Sequence, residues 1–142
     1  MGLADKQVTI VGLGLMGGSL ALALHGRVGH LTAVERHAAT RQQALQRQLV
    51  DQVTDNLALG VKTADVVIFA TPVQTILRLI PDLPKLRPEG CLVIDLGSTK
   101  SAISQVMNDL PPQFMAIGGH PMCGKEIAGL EAADGSLYQD QT

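Results

Sequence analysis
Three groups of residues in this chain combine types that do chemistry with spacing that lets them act together. Asp95-Leu96-Gly97-Ser98-Thr99-Lys100 puts a carboxylate, two hydroxyls and an amine into six residues, directly after the apolar run Leu92-Val93-Ile94. One hydroxyl, from Ser98 or Ser101, is expected to cap the next helix, which leaves the other groups to face a ligand. Gly118-Gly119-His120-Pro121-Met122-Cys123-Gly124-Lys125-Glu126 comes after another apolar run and holds His120 in a turn bounded by glycine and proline. Histidine is the side chain best able to take a proton near neutral pH. The other three histidines, His25, His30 and His37, fall at a helix end or in polar loops, where solvation is expected.

The third group is Gly12-Leu13-Gly14-Leu15-Met16-Gly17. It joins the β-branched run Val8-Thr9-Ile10-Val11 to the helix-forming Ser19-Leu20-Ala21-Leu22-Ala23-Leu24. In a strand–turn–helix setting, GxGxxG signals dinucleotide binding. Gly12 permits the tight turn, Gly14 lets the backbone approach a pyrophosphate, and Gly17 lets the helix pack on the strand. The N-terminal end of the helix favours phosphate charge. The seventeen uncharged residues from Val8 to Leu24 also fit a membrane span or a signal peptide. A span needs about 20 apolar residues, and glycines at its middle weaken it. A signal peptide needs a basic leader, and here only Lys6 precedes the run, with Asp5 cancelling it.

The elements that must position these groups alternate. Strands are expected at 6–11, 31–34, 66–70, 92–95 and 114–117, and helices at 15–25, 38–49, 73–80 and 101–110. Gly26 and Gly29 mark the end of the first helix. Residues 50–59 read as a short strand near Val53 or as a connection, and Pro81, Pro84 and Pro88 break up the segment after the helix at 73–80. Alternation of this kind implies an α/β fold, a doubly wound and mostly parallel sheet. Ligands then sit beyond the C-terminal ends of the strands. That rule selects Gly12 to Gly17, Glu35-Arg36, Thr71-Pro72 and Asp95 to Lys100.

Glu35, eighteen residues after Gly17, can accept hydrogen bonds from a ribose 2′- and 3′-hydroxyl pair and would repel a 2′-phosphate. It favours NAD over NADP. Arg36, His37 and Arg41 work the other way, since a nearby cation can hold a 2′-phosphate, so NADP stays possible. A solvated loop carboxylate is the competing reading of Glu35. Thr71 and Pro72 either lie beside the ribose or nicotinamide, or Thr71 simply caps the next helix.

Composition narrows the field. With 46% apolar residues in 142, the chain can bury one proper core. A net charge of −2 with 2% aromatic residues offers no basic face or stacking platform for nucleic acid. No membrane association and no metal site are expected. Two cysteines make a poor disulfide framework; Cys91 reads as a buried thiol, and a reducing, cytoplasmic setting is the default.

GLGLMGGSLALAL, DLGSTK and GGHPMCGKEIAGLEAAD, in this order and spacing, closely resemble the prephenate and arogenate dehydrogenases of tyrosine biosynthesis. The likeness runs from Val8 to about Tyr138. It implies that residues 1–142 are a Rossmann-type NAD(P)-binding domain, incomplete at its C-terminal end and without the family's helical domain. That second domain builds the family's homodimer and supplies further substrate-binding residues. The implied reaction is NAD(P)-dependent oxidation of prephenate, with loss of carbon dioxide, to 4-hydroxyphenylpyruvate, or of arogenate to tyrosine. By the same resemblance His120 polarises or deprotonates the substrate hydroxyl, and Ser98 hydrogen-bonds that hydroxyl and the histidine. The amine of Lys100 is suited to steer or bind a dianionic substrate. The 142-residue chain alone is expected to bind NAD weakly and not to turn over prephenate. Two alternatives remain. A β-hydroxyacid dehydrogenase of the 3-hydroxyisobutyrate or 6-phosphogluconate type shares the GLGxMG start, without a match to the later glycine-rich segment. A non-catalytic nucleotide-sensing module would need neither Ser98 nor His120.

Overall fold
The computed structural model describes residues 2–97 and 101–118; Ser98, Lys100 and His120 lie outside them. Six strands form one sheet: β1 (Gln7–Val11), β2 (His30–Val34), β3 (Gln52–Thr54), β4 (Val66–Phe69), β5 (Leu92–Asp95) and β6 (Met115–Gly118). Every pairing is parallel, in the order β3-β2-β1-β4-β5-β6. The helices are α1 (Leu15–Leu24), α2 (Ala38–Gln46), α3 (Leu57–Val61), α4 (Val73–Leu79), α5 (Leu83–Leu86) and α6 (Ser101–Asn108).

The central strands read as unbroken apolar runs because both their faces are covered. On one face Val8, Ile10, Leu31 and Ile68 pack with Ala21 of α1 and Ala44 of α2. On the other, Val11, Val67, Phe69 and Val93 pack with Val61, Ile76, Leu83 and Ile103 from α3, α4, α5 and α6. Two cores, one per face, are what the alternation of strand and helix requires.

The register matters most for the site. Thr54 pairs with Val34, Val34 with Val11, Val11 with Phe69, Phe69 with Asp95 and Asp95 with Gly118. These six residues form one row across the whole sheet at its C-terminal edge. Backbone bonds carry the pairing one residue further, from Gly12 N to Val34 O at 2.8 Å, Ala70 N to Val11 O at 2.8 Å and Leu96 N to Phe69 O at 2.9 Å. Strand order reverses between β1 and β4, so the chain ends of these two strands diverge over a crevice.

Three local expectations are corrected, and one left open, the short strand near Val53, is decided in favour of a strand. The helix expected at 38–49 stops at Gln46, because Gln48 takes a left-handed backbone (φ 54°) that turns Leu49 and Val50 into the core. The uncertain stretch 50–59 forms β3 and the start of α3, with the Asn56 side chain accepting from Leu59 N at 3.2 Å to cap the helix. Gly60 hid this helix from a sequence reading. A Cβ there would overlap the Val34 side chain, so glycine is needed for α3 to sit on β2. Pro81 and Pro84 do not break the chain into loop. Each occupies the first turn of a short helix, a 3₁₀ turn at Ile80–Asp82 and then α5, where the missing N–H costs nothing.

His25 is not simply solvated either: its Nε2 lies 3.1 Å from Asp51 Oδ1, and the same carboxylate accepts from Leu31 N at 2.8 Å. The Leu31 N–H, against an opposing burial effect and helped by His25 and His30, holds Asp51 below the usual carboxylate range. Cys91 is buried as expected, and burial pushes its thiol up to about 11, with Arg87 opposing and Asp65 adding. The thiolate is the reactive form, so Cys91 is a structural rather than a reactive cysteine. No helix among the described residues is long and apolar enough to cross a membrane.

Candidate functional site
Residues just past the register row build the site. Beyond Val11 the chain turns at Gly12, whose φ of +99° is open to glycine and strained for other residues. Thr71 closes on the same turn: a Cβ at Gly12 would stand 2.7 Å from Thr71 Cγ2. Gly14 is the N-cap of α1 in an extended conformation, and a Cβ there would meet nothing within 4 Å. Gly17 is buried, and a Cβ on it would overlap the carbonyl oxygen of Gly12. The three motif glycines therefore have three separate causes: a backbone angle, an open space in front of a helix end, and contact of helix on turn. Leu15 and Met16 open the first turn of α1 and line the cleft on the β5 side.

Beyond Val34 stands Glu35. It is 9% exposed, so the solvated-carboxylate reading is wrong. Its Oε1 accepts from Leu13 N at 3.0 Å, and its Oε2 accepts from His37 N at 2.9 Å and lies 3.0 Å from His37 Nδ1. Burial is the largest single influence and works to raise its pKa. The bonds from the His37 N–H, the Leu13 N–H and the His37 ring together outweigh it and hold Glu35 below the usual carboxylate value. Such a group stabilises the fold fully above its unfolded pKa of about 4.3 and stops doing so as pH falls through the lower, folded value. A thermal melt series from pH 7 to pH 3 should therefore show an acid limb to which Glu35 contributes, and Glu35→Gln should flatten it while lowering Tm at pH 7. An unchanged limb in the variant would show that the carboxylate is not what titrates.

Arg41 does not approach the carboxylate. Its Nη1 donates to the carbonyl oxygens of Glu35 and Arg36, each at 2.9 Å, and so fixes the backbone after β2. Arg36 is exposed at the rim of the cleft. Thr71 does not cap α4: Pro72 is the N-cap residue, and no side chain bonds to the helix end. Thr71 Oγ1 is buried without a hydrogen-bond partner among the described residues. Asp95 is fully buried at the end of β5, and its Oδ2 accepts from Gly97 N at 3.1 Å, which fixes the backbone just past the strand.

Two cavities flank the Gly12 to Gly17 turn. The larger, about 490 Å³, joins Gly12, Leu13 and Gly14 to Glu35, Arg36, Thr71 and Pro72. The smaller, about 310 Å³, joins Leu15, Met16, Thr71 and Pro72 to Leu96 and Gly97. The sequence-selected residues that the structure describes thus meet around one crevice at the point where strand order reverses. Thr40 of α2, with Thr75 and Arg78 of α4, also line the larger cavity and were not anticipated. Thr75 and Arg78 stand three apart on the helix that begins after Thr71-Pro72, and that spacing was the available signal. The crevice suits a dinucleotide: a helix N-terminal end with open space before it, a buried carboxylate on one side, and an orphaned hydroxyl between the two cavities.

Comparison with known proteins bears on the same residues. The family described as "Prephenate dehydrogenase, nucleotide-binding domain" matches residues 19–142. The chain belongs to this family. A prephenate dehydrogenase of Lactococcus lactis subsp. cremoris is 34% identical over 142 residues, covering 95% of this chain and 39% of the relative. Among solved structures, Synechocystis arogenate dehydrogenase matches with a TM-score of 0.85 at 36% identity, over 95% of this chain and 48% of that one. A prephenate dehydrogenase from A. aeolicus, in complex with hydroxyphenyl propionate and NAD+, matches with a TM-score of 0.85 at 30% identity, over 96% and 48%. The chain thus spans 39% of the length of the Lactococcus relative and about half of these solved chains. Membership in this family takes the place of membership among the β-hydroxyacid dehydrogenases.

Proposed function
We propose that this domain binds NAD and that the protein it represents oxidises prephenate, or arogenate, with loss of carbon dioxide. The observation that carries the reading is the register row. It sets Glu35, the glycine turn and the corner at Thr71 one or two residues past neighbouring strand ends, and it pairs Asp95 directly with Gly118. Ser98 is three residues beyond Asp95 and His120 two beyond Gly118. A residue extends the chain by at most about 3.6 Å, so segments this short, leaving adjacent strand ends, allow Ser98 and His120 to meet. This supports their acting as a pair.

In this reading the N-terminal end of α1 and the Gly12 to Gly17 turn hold the pyrophosphate, and Glu35 accepts the adenosine ribose hydroxyls. Arg36 covers the adenosine side, while Thr71 and Pro72 border the ribose and nicotinamide on the other. The nicotinamide supplies the hydride acceptor when bound. His120 takes the proton of the ring hydroxyl as the carbonyl forms, Ser98 hydrogen-bonds both, and Lys100 attracts the substrate's carboxylates. Aromatisation of the ring on decarboxylation supplies the driving force, which leaves the protein mainly the work of positioning and proton acceptance.

Thermal-shift titration with NAD and NADP tests the cofactor half, since a ligand raises Tm by mass action. NAD should give the larger shift; a larger shift with NADP overturns the assignment to Glu35. Turnover is tested on the whole protein with prephenate and arogenate, and the 142-residue chain alone should bind NAD without producing NADH. Gly14→Ala isolates the phosphate contact. Its φ of −81° is not one that only glycine adopts and its Cβ is unopposed, so Tm should hold. NAD affinity should fall about tenfold, about 1.4 kcal/mol, because the methyl fills the space before the helix end. An unchanged affinity would mean that the phosphates do not approach Gly14.

A further inference from the structure
The hydrogen bonds of Glu35 do not leave room for the ligand it is expected to hold. An ionised carboxylate has about four acceptor sites and no donor. Three are engaged: by Leu13 N at 3.0 Å, His37 N at 2.9 Å and the His37 ring, whose Nδ1 stands 3.0 Å from Oε2. Because Glu35 can only accept, that ring nitrogen must carry a proton. A ribose diol brings two donors of its own. Two backbone N–H groups and two hydroxyls fill all four sites, and the imidazole is the surplus donor.

The two backbone donors are fixed by the fold. Leu13 is 1% exposed inside the glycine turn, and the His37 N–H belongs to the N-cap residue of α2. The ring is different: the His37 side chain is 65% exposed, whereas that of Glu35 is 10% exposed. It can leave by side-chain rotation alone, with solvent to receive it, and it borders the same 490 Å³ cavity as Glu35. We propose that His37 is a specificity-determining residue that occupies the ribose position on Glu35 and is displaced by a ligand carrying a vicinal diol. It orients the carboxylate in the absence of ligand and sets a displacement cost that a diol must meet and a single hydroxyl need not, so it narrows the margin by which an intact adenosine ribose is preferred. This rests on the reading of the larger cavity as the adenosine side of a dinucleotide site.

The test uses His37→Ala, which removes the ring and keeps the backbone N–H. Calorimetric titration of the 142-residue chain with ADP and with 2′-deoxy-ADP separates the contributions. The variant should bind ADP about fivefold more tightly than the unsubstituted chain, since no ring has to be displaced. It should bind 2′-deoxy-ADP with affinity within about twofold of the unsubstituted chain, because a single hydroxyl can use the fourth site without displacing the ring. Its Tm without ligand should fall by a few degrees, as one hydrogen bond is lost. An unchanged or weaker affinity for ADP overturns the proposal, and so does an equal gain for both ligands. If the unsubstituted chain binds neither ADP nor NAD, the cofactor reading itself fails, a result distinct from binding that is indifferent to His37.

Discussion
Gly17→Ala is expected to remove most of the stability of this domain. The substitution adds a single methyl, but the methyl points into the carbonyl oxygen of Gly12, with the Gly12 carbonyl carbon 3.0 Å and Ala70 Cβ 3.2 Å away. Overpacking against mobile side chains typically costs about 1–3 kcal/mol. Here the first obstacle is backbone, and that backbone cannot give. Gly12 N is bonded to Val34 O, and Gly12 already sits at a φ that only glycine tolerates well. Moving the turn would break its bond to β2 and the packing of Ala21 on Ile10 beneath α1. The expected loss is about 3 kcal/mol or more, against a total of about 5–15 kcal/mol for a typical domain. Urea denaturation should show the midpoint falling, at unchanged slope, by that loss divided by the slope, and the melting temperature should drop by about 10 °C or more. Gly14→Ala, in the same motif and three residues away, should leave both unchanged. If the two variants are equally stable, then the close approach of α1 to the turn is not what requires glycine at position 17.

The contrast between those glycines marks how far a sequence can be read here. Spacing alone assigned a turn, a phosphate approach and a packing contact to Gly12, Gly14 and Gly17, because a strand, a turn and a helix in succession leave few ways to fold. The unbroken run at Val66–Phe69 likewise announced a buried parallel strand, since a strand covered on both faces can be apolar throughout. What failed was local. Gly60 sits inside a helix that the sequence did not announce, and it is the contact that admits α3 against Val34. Thr71 could be read either as a helix cap or as a residue beside the ligand; the N-cap is Pro72, and the Thr71 hydroxyl has no partner among the described residues. The position of Glu35 was legible from its distance to Gly17, whereas its clasp to Leu13 and His37 was not. That clasp depends on the end of β2 and the turn after β1 being brought side by side, which is a property of the sheet rather than of either segment. The register row had the same character: each strand end could be guessed, but their alignment could not.

His120→Asn, made in the whole protein, should lower kcat for prephenate by about 10³-fold, within the range of about 10² to 10⁴ expected when a general base is lost. Asparagine keeps a hydrogen-bonding group of similar reach and removes the one that accepts a proton. Substrate can then still be held, while the hydroxyl proton has no acceptor as the carbonyl forms. The glycine turn, α1 and Glu35 belong to other segments of the chain and do not depend on the histidine, so NAD affinity should stay within about twofold. A fall in kcat at constant NAD affinity is the sign of a group that acts in the transition state rather than in cofactor binding. Ser98→Ala should give a smaller loss of kcat, because a positioning hydrogen bond is removed and the proton acceptor remains. The pairing of Asp95 with Gly118 gives the two substitutions a common origin: both segments leave the sheet from adjacent residues of one row, so a double variant should lose less than the product of the two single losses. Strict additivity would argue that Ser98 and His120 act on different parts of the substrate. Activity that survives His120→Asn largely intact would remove the histidine from the mechanism and transfer the search for a proton acceptor to residues outside this chain.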